Sequence, residues 1–243
     1  MRVGGSEPVK LILIACKVLY REFCYYAAIS RNFIELRFLE QGLHMEPCKL
    51  RDSVQAEIDS VDEEYDGILL GYGLCSKGTE GLRSKKHRIV IPRAHDCITF
   101  FLGSKERYMD YFEKQPGTYW YTPGWIETNG AADKPRYDAV YREYVEKYGE
   151  DNAKYLFEVL QSWMEHYDRA AYVDLGFCEN GAFREHTKAV AAERGWKYVE
   201  VKGDPRLVID LLEGNWDSGR FLVVEPGETV EAVHDGCILG VSR

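Results

Sequence analysis

An arginine, a histidine, an aspartate and a cysteine lie within five positions of the stretch IPRAHDCITFFLGS, residues 91–104. Arg93, His95, Asp96 and Cys97 follow an apolar run that is typical of a buried strand, and a second apolar run comes directly after them. Imidazole and thiol groups ligate metal ions and carry out acid–base or nucleophilic chemistry. A solvent-exposed turn needs neither group, so this stretch is the first candidate for a functional site.

Two other cysteines also follow predicted strands. Cys16 ends the apolar run KLILIAC (residues 10–16), and Cys75 ends DGILLGYGLC (residues 66–75). In an open parallel sheet, ligands bind outside the carboxyl ends of the strands, near the point where the strand order reverses. The sequence therefore predicts that Cys16, Cys75 and Cys97 lie at one edge of a sheet and line one site.

Three thiolates with a nearby imidazole are soft ligands that suit zinc or an iron–sulfur cluster. The chain contains no CxxC spacing. The prediction of a metal site at Cys16, Cys75 and Cys97 therefore depends on the inferred fold rather than on a local motif. The alternative for each cysteine is an inert buried thiol.

The polar residues beside Cys97 have more than one interpretation. His95 is a metal ligand, a proton relay or a hydrogen-bonded core residue. Arg93 binds a carboxylate or phosphate bidentately, or it pairs with an acidic neighbour. Asp96 is the predicted N-cap of a helix that begins at Cys97, and that helix N-terminus would lower the pKa of the Cys97 thiol. We take His95, Arg93 and Asp96 as the candidate catalytic residues.

A glycine-rich turn, GYGLCSKGTEG, follows the second of these strands. It matches neither G-x-G-x-x-G nor the phosphate-binding P-loop, so a nucleotide site is disfavoured. Its glycines let the backbone approach a ligand or metal centre closely. Tyr72 and Gly73 in this turn are therefore candidate cofactor contacts.

Composition excludes several classes of protein. The 243 residues are 45% apolar, enough for a proper core, and the net charge of −9 argues against nucleic-acid binding. No apolar segment is long enough to span a membrane, and the start has no apolar signal-peptide region. The seven cysteines are expected to be thiols of a reducing cytosol rather than a disulfide framework, so we expect a cytoplasmic protein.

Strands alternate with helices along both halves of the chain, which implies crossover connections and parallel sheets. We predict an α/β fold of two related Rossmann-like βαβ halves whose parallel sheets face a central cleft, plus a helical and aromatic insert. The predicted domains are residues 1–103, the insert 104–168, and residues 169–243. The predicted strands are residues 10–16, 33–40, 66–75, 87–93, 170–177, 197–203 and 220–228.

Two further segments have functional interpretations. Residues 104–130 carry Tyr and Trp side chains suited to lining a pocket, so this segment is predicted to cover the cleft, with Trp125 as a cofactor contact. The alternative is plain core packing. The terminal sequence VHDGC (233–237) brings His234 and Cys237 toward the cleft or forms a surface tail.

Four stretches together resemble the family catalogued as domain of unknown function 1638: LIACKVLYRE, GYGLCSKG, IPRAHDCITFFLGSKERY and GTYWYTPGW. The GYGLC and PRxHDC elements are the most specific of them. The positions that match the pattern of this family are Cys16, His44, Tyr72, Cys75, Arg93, His95, Asp96, Cys97 and Thr122 to Trp125.

Members of the family occur in anaerobes and methanogens that use corrinoid-dependent methyl transfer. The resemblance therefore implies a metal or cluster site in one-carbon or corrinoid metabolism. It makes a corrinoid a further candidate cofactor, and a corrinoid protein or methyltransferase a candidate partner.

Three functions fit these observations. The first is a metalloenzyme that acts on a small polar or methylated substrate, with Cys16, Cys75 and Cys97 holding the metal, His95 relaying protons and Arg93 binding an anionic group. The second is a non-catalytic carrier or accessory protein for a corrinoid, metal or cluster. The third is a metal-free enzyme with Cys97 as the nucleophile.

Overall fold

The computed structural model describes residues 7–128, 134–178 and 181–243. The chain divides into two compact units, the first built from Met1–Met109 with Gly203–Arg243 and the second from Asp110–Lys202. The divisions therefore fall after residues 109 and 202, whereas the sequence placed them after residues 103 and 168. The difference arises because strands that are far apart in the sequence pair within each unit.

Within the described residues the chain forms ten strands and nine α-helices. The strands are β1 Lys10–Cys16, β2 Phe33–Leu39, β3 Gly67–Gly71, β4 Ile89–Pro92, β5 Thr118–Tyr121, β6 Arg169–Asp174, β7 Lys197–Lys202, β8 Phe221–Val224, β9 Thr229–Ala232 and β10 Leu239–Ser242. The helices are α1 Tyr20–Ala28, α2 Pro47–Asp59, α3 Cys97–Leu102, α4 Lys105–Lys114, α5 Pro123–Glu127, α6 Lys134–Tyr148, α7 Glu150–Gln161, α8 Gly181–Arg194 and α9 Arg206–Glu213. Short 3₁₀ helices span Lys17–Leu19, Gln41–Met45 and Ser162–His166.

The first unit is built on a five-stranded sheet in the order β2-β1-β3-β4-β8. The first four strands are parallel, and β8 pairs antiparallel with β4. Central strands of a parallel sheet are buried on both faces, so their sequences are continuous apolar runs. The runs in β1, β3 and β4 are buried in this way. The predicted α/β class with parallel sheets is confirmed.

The second unit is built on a parallel sheet in the order β5-β6-β7. Its core packs Tyr121 and Tyr172 against Phe183 and Val190 of α8. The aromatic sequence TYWY, predicted to belong to an insert over the cleft, is thus strand β5 of this sheet. The four residues of β5 are buried or half-buried, so large aromatic side chains can pack there.

The C-terminal segment differs most from the sequence prediction. Residues 220–228 were assigned to the second half, but β8 lies in the first sheet, with Leu222 opposite Ile91. The antiparallel pair β9–β10, which the sequence did not predict, follows it. Apolar runs predict that a strand exists, but its partner depends on which sheet edge it covers.

The structure also bears on membrane insertion. Across residues 7–128, 134–178 and 181–243, no helix has the length and apolar character needed to cross a membrane.

Candidate functional site

The candidate site is at the carboxyl edge of the first sheet. β1 ends at Cys16, and its neighbour β3 leads through Tyr72 to Cys75. The next strand, β4, leads to Cys97. Because β2 and β3 lie on opposite sides of β1, the strand order reverses between β1 and β3, which is where open α/β sheets bind ligands.

Two backbone hydrogen bonds join the loop after β3 to the loop after β4. The N–H of Leu74 donates to the carbonyl oxygen of Ala94 over 2.8 Å, and the N–H of Cys75 donates to that of His95 over 2.9 Å. These bonds continue the pairing of the two strands beyond the sheet. They fix the position of the Cys75 backbone relative to the His95 backbone.

Gly73 makes this close approach of the loops possible. A Cβ at Gly73 would lie 2.7 Å from the carbonyl oxygen of Ala94 and 2.9 Å from the backbone nitrogen of Asp96. Real Cβ atoms do not come so close, so the position requires glycine. The close approach expected of this glycine occurs against the protein backbone, and contact between Gly73 and a ligand stays a prediction.

Cys75 begins a left-handed stretch that sequence reasoning missed. The φ angles of Cys75, Ser76 and Lys77 are 46°, 56° and 68°. A left-handed conformation costs a non-glycine residue roughly 1–2 kcal/mol. The turn is held by a 3.0 Å hydrogen bond from the N–H of Gly78 to the carbonyl of Cys75. None of these residue types favours this conformation, so no local signal marks it, and strain of this kind collects at functional sites.

The three thiols share one electrostatic environment. Burial raises the pKa of Cys16 to about 11 and that of Cys75 to about 12. Burial also raises the pKa of Cys97 well above its ordinary range, and the charges of Asp96, Cys16 and Cys75 add to that effect. Ionisation of one thiol therefore opposes ionisation of the others. The expected lowering of the Cys97 pKa by the helix N-terminus is wrong, because burial and neighbouring anions outweigh it.

Asp96 caps α3, as predicted. Its Oδ1 accepts a 2.9 Å hydrogen bond from the N–H of Ile98. Its Oδ2 accepts a 2.9 Å hydrogen bond from the Tyr108 hydroxyl. Burial raises the pKa of Asp96, and these hydrogen bonds oppose that shift. The Tyr108 ring also stacks on the His95 ring, with centroids 5.7 Å apart, so Tyr108 positions both residues.

Tyr72 carries a buried hydroxyl at this edge. The residue is 3% exposed, and among the described residues its hydroxyl has no hydrogen-bond partner. Burial raises the Tyr72 pKa, and the charges of Cys16 and Cys75 add to the increase. An unsatisfied buried hydroxyl costs about 1–3 kcal/mol, and an acceptor atom of a bound ligand would remove that cost.

Arg93 binds backbone carbonyls. Its Nε donates to the carbonyl of Ser218 over 2.8 Å. Its Nη1 donates to the carbonyl of Cys237 over 3.2 Å and also to that of Leu239. These partners are neither the substrate anion nor the acidic neighbour considered from the sequence. The contacts fasten the β9–β10 loop beside the end of β4, and anion binding by Arg93 stays a prediction.

The remaining predicted residues lie elsewhere. His234 and Cys237 are exposed in the β9–β10 loop, and Nδ1 of His44 lies 2.6 Å from the carbonyl oxygen of Gln41. Trp125 lies in the second unit, where it packs against the core cluster that includes Tyr121. Trp125 therefore packs against the core of this unit, which is the alternative that the sequence left open for it. The proposal that residues 104–130 cover the cysteine site stays a prediction.

Cys16, Cys75 and Cys97 offer sulfur atoms, which are the soft ligands of thiolate metal sites. In the parts of the chain that the structure describes, no three or more His, Cys, Asp or Glu side chains are arranged to hold a metal ion. The residue types therefore suit zinc or an iron–sulfur cluster, but their present side-chain positions do not form a ligand shell. Both cofactors stay predictions.

Comparison with known proteins gives one match. The family model described as "Protein of unknown function (DUF1638)" matches residues 38–212. No curated protein and no solved structure matches. The matched segment contains Tyr72, Cys75, Arg93, His95, Asp96 and Cys97 of the candidate site.

Proposed function

Since this chain belongs to the DUF1638 family, whose function is unknown, we propose from its own side chains that it is a metalloprotein, with Cys16, Cys75 and Cys97 as the ligands of a soft metal ion or cluster. The observation that carries the proposal is that three cysteines lie at or just after the carboxyl ends of three neighbouring parallel strands, where the strand order reverses. Zinc and iron–sulfur clusters are the cofactors that thiolates favour.

The electrostatics favour a metal site over a metal-free nucleophile. A cysteine nucleophile acts as the thiolate, and its pKa is normally lowered by its surroundings. The pKa values of these three thiols are raised instead, chiefly by burial. A bound cation reverses this effect, because a coordinated thiol is deprotonated outright. The proposal includes a rearrangement of the thiol side chains when the metal binds.

The surrounding residues have distinct roles in this proposal. His95, whose ring stacks on that of Tyr108, would move a proton at the edge of the site. Asp96 is a positioning residue, since it caps the helix that begins with Cys97. The Tyr72 hydroxyl donates a hydrogen bond to the bound substrate. Arg93 holds the β9–β10 loop in place.

The substrate is proposed to be a small polar or methylated compound. The link to one-carbon or corrinoid metabolism, including a corrinoid protein or methyltransferase as partner, depends on the family resemblance alone. We propose catalysis rather than transport because the Tyr72 hydroxyl, which has no partner among the described residues, and the imidazole of His95, whose backbone bonds that of Cys75, are groups that act on a ligand.

Anaerobic purification with elemental analysis and an absorption spectrum tests the metal site. Zinc at one equivalent without colour supports a zinc centre, and iron with broad absorbance near ~400 nm supports a cluster. Metal-free protein that is active and loses activity on alkylation of Cys97 would replace this proposal with a cysteine nucleophile.

A further inference from the structure

The second unit contains a cavity of about 610 Å³. Its walls come from the last turns of α7, the 3₁₀ helix Ser162–His166, the two residues before β6, and the end of α8 with the turn that follows it. These segments meet at the amino ends of β6 and β7. The volume is within the range of small-molecule pockets, roughly 300–1,000 Å³.

The inner lining of this cavity is apolar and aromatic. Met164 is buried, with 6% of its surface exposed. Phe157, Tyr167 and Trp196 are half-buried and also line the cavity. The Tyr167 and Trp196 rings lie with centroids 6.0 Å apart and planes inclined at 40°. Aromatic ring faces carry negative partial charge and attract cations within about 6 Å, and Trp attracts them best.

Acidic side chains dominate the charge of the lining. Glu158 and Glu165 are exposed, so their carboxylates are at the mouth. Asp168 also lines the cavity, but its carboxylate forms an ion pair with the Arg169 guanidinium over 3.0 Å, so it adds little net negative charge. Arg194 is the basic member of the lining. The carboxylates of Glu158 and Glu165 outnumber the guanidinium of Arg194, which disfavours an anionic ligand.

We propose that this cavity binds a small organic cation, namely an amine or quaternary ammonium compound with apolar substituents. Its alkyl groups would pack on Met164 and the aromatic rings. Its charge would lie between the ring faces and the carboxylates of Glu158 and Glu165. Neither acidic residues nor aromatic residues alone select this ligand, but both together in one cavity do. The proposal does not depend on the cysteine site.

A pair of isosteric probes tests the proposal on the full chain. Choline and 3,3-dimethylbutan-1-ol have nearly the same shape, but only choline is charged. Isothermal titration at constant ionic strength should show choline binding at least about fivefold more tightly, as cation–π attraction and the carboxylates predict. Equal affinity for the two probes, or no binding of choline up to tens of millimolar, would overturn the proposal.

Charge-removing variants locate the binding. The double variant Glu158→Gln, Glu165→Gln should weaken choline binding roughly three- to tenfold and leave the neutral probe unaffected. Glu146→Gln is the matched control, because Glu146 is an exposed carboxylate on α6 outside the lining. The same loss in the control variant would show that general surface charge attracts choline and that the cavity does not bind it. Circular dichroism of each variant confirms the fold.

Discussion

The backbone N–H of Cys75 donates to the carbonyl oxygen of His95 over 2.9 Å. This bond links the GYGLC and PRAHDC sequences, which are separated along the chain by a loop and most of strand β4. It connects Cys75, whose backbone is in the left-handed conformation, to His95, whose ring stacks on that of Tyr108. The predictions that follow test this arrangement and the chemistry proposed for it.

Gly73→Ala should disrupt the contact between the two loops. The added Cβ would meet the Ala94 carbonyl oxygen at 2.7 Å, so we expect a loss of about 1–3 kcal/mol in the free energy of unfolding. Gly42→Ala is the control, because a Cβ there meets nothing within 4 Å. Urea unfolding measures both variants, and equal stabilities would show that the loops do not need this close approach.

Cys75→Ser should sharply reduce bound metal while the fold persists. Cys75 follows β3 at the proposed site, whereas Cys24 lies within helix α1. Cys24→Ser should therefore retain full metal content and cost only on the order of 1 kcal/mol in stability. Elemental analysis of anaerobic preparations measures the difference. Full metal content in both variants would rule out Cys75 as a ligand.

Tyr72→Phe should weaken substrate binding without destabilising the metal-free protein. The hydroxyl has no partner among the described residues, so its removal should leave the unfolding free energy unchanged or raise it by up to about 1 kcal/mol. Tyr65→Phe is the contrasting variant, since the Tyr65 hydroxyl donates to Glu35 and its loss should destabilise. A marked destabilisation by Tyr72→Phe would mean that its hydroxyl is already paired.

Raising the pH should destabilise the metal-free protein. The Cys16 pKa rises from its ordinary value of 9.0 to about 11 on folding. Between these values the unfolded thiol ionises while the folded thiol does not, so ionisation favours the unfolded state. The contribution of Cys16 to stability should be constant well below pH 9 and should fall toward pH 11, by on the order of 2–3 kcal/mol.

Urea unfolding at two pH values isolates this effect. Cys16→Ala lacks the thiol and should lose less stability than the wild type between pH 8 and pH 10.5. An identical loss in both proteins would assign the pH dependence to other groups. Bound metal should remove the effect of Cys16, because metal holds the thiolate in the folded state.

Trp125→Ala should destabilise the second unit. Trp125 packs against its core cluster, and its ring lies 6.4 Å from the Tyr119 ring. We expect a loss of about 2–3 kcal/mol for this half-buried side chain. Thermal unfolding measures the loss, and metal content measured on the same variant shows whether metal binding depends on Trp125. Unchanged stability would exclude a packing role.

Local sequence patterns predicted many elements of this protein. The apolar run KLILIAC predicted β1 with its observed bounds, Lys10–Cys16, because a strand buried on both faces must be apolar throughout. Gly149, between α6 and α7, adopts a positive φ of 78°, a conformation that glycine reaches without steric cost. The residue types at the ends of β1, β3 and β4 likewise identified the candidate site.

Only the tertiary structure decided how distant segments pair and what their side chains experience. β8 pairs with β4 of the first sheet rather than with a strand of the second sheet. Strand pairing depends on which sheet edge lies beside the strand in the folded chain. The pKa of Cys97 is raised rather than lowered, because burial and neighbouring anions depend on residues that folding brings together. Residue identity therefore indicated where chemistry could occur, and the packed environment decided the protonation state of its thiols.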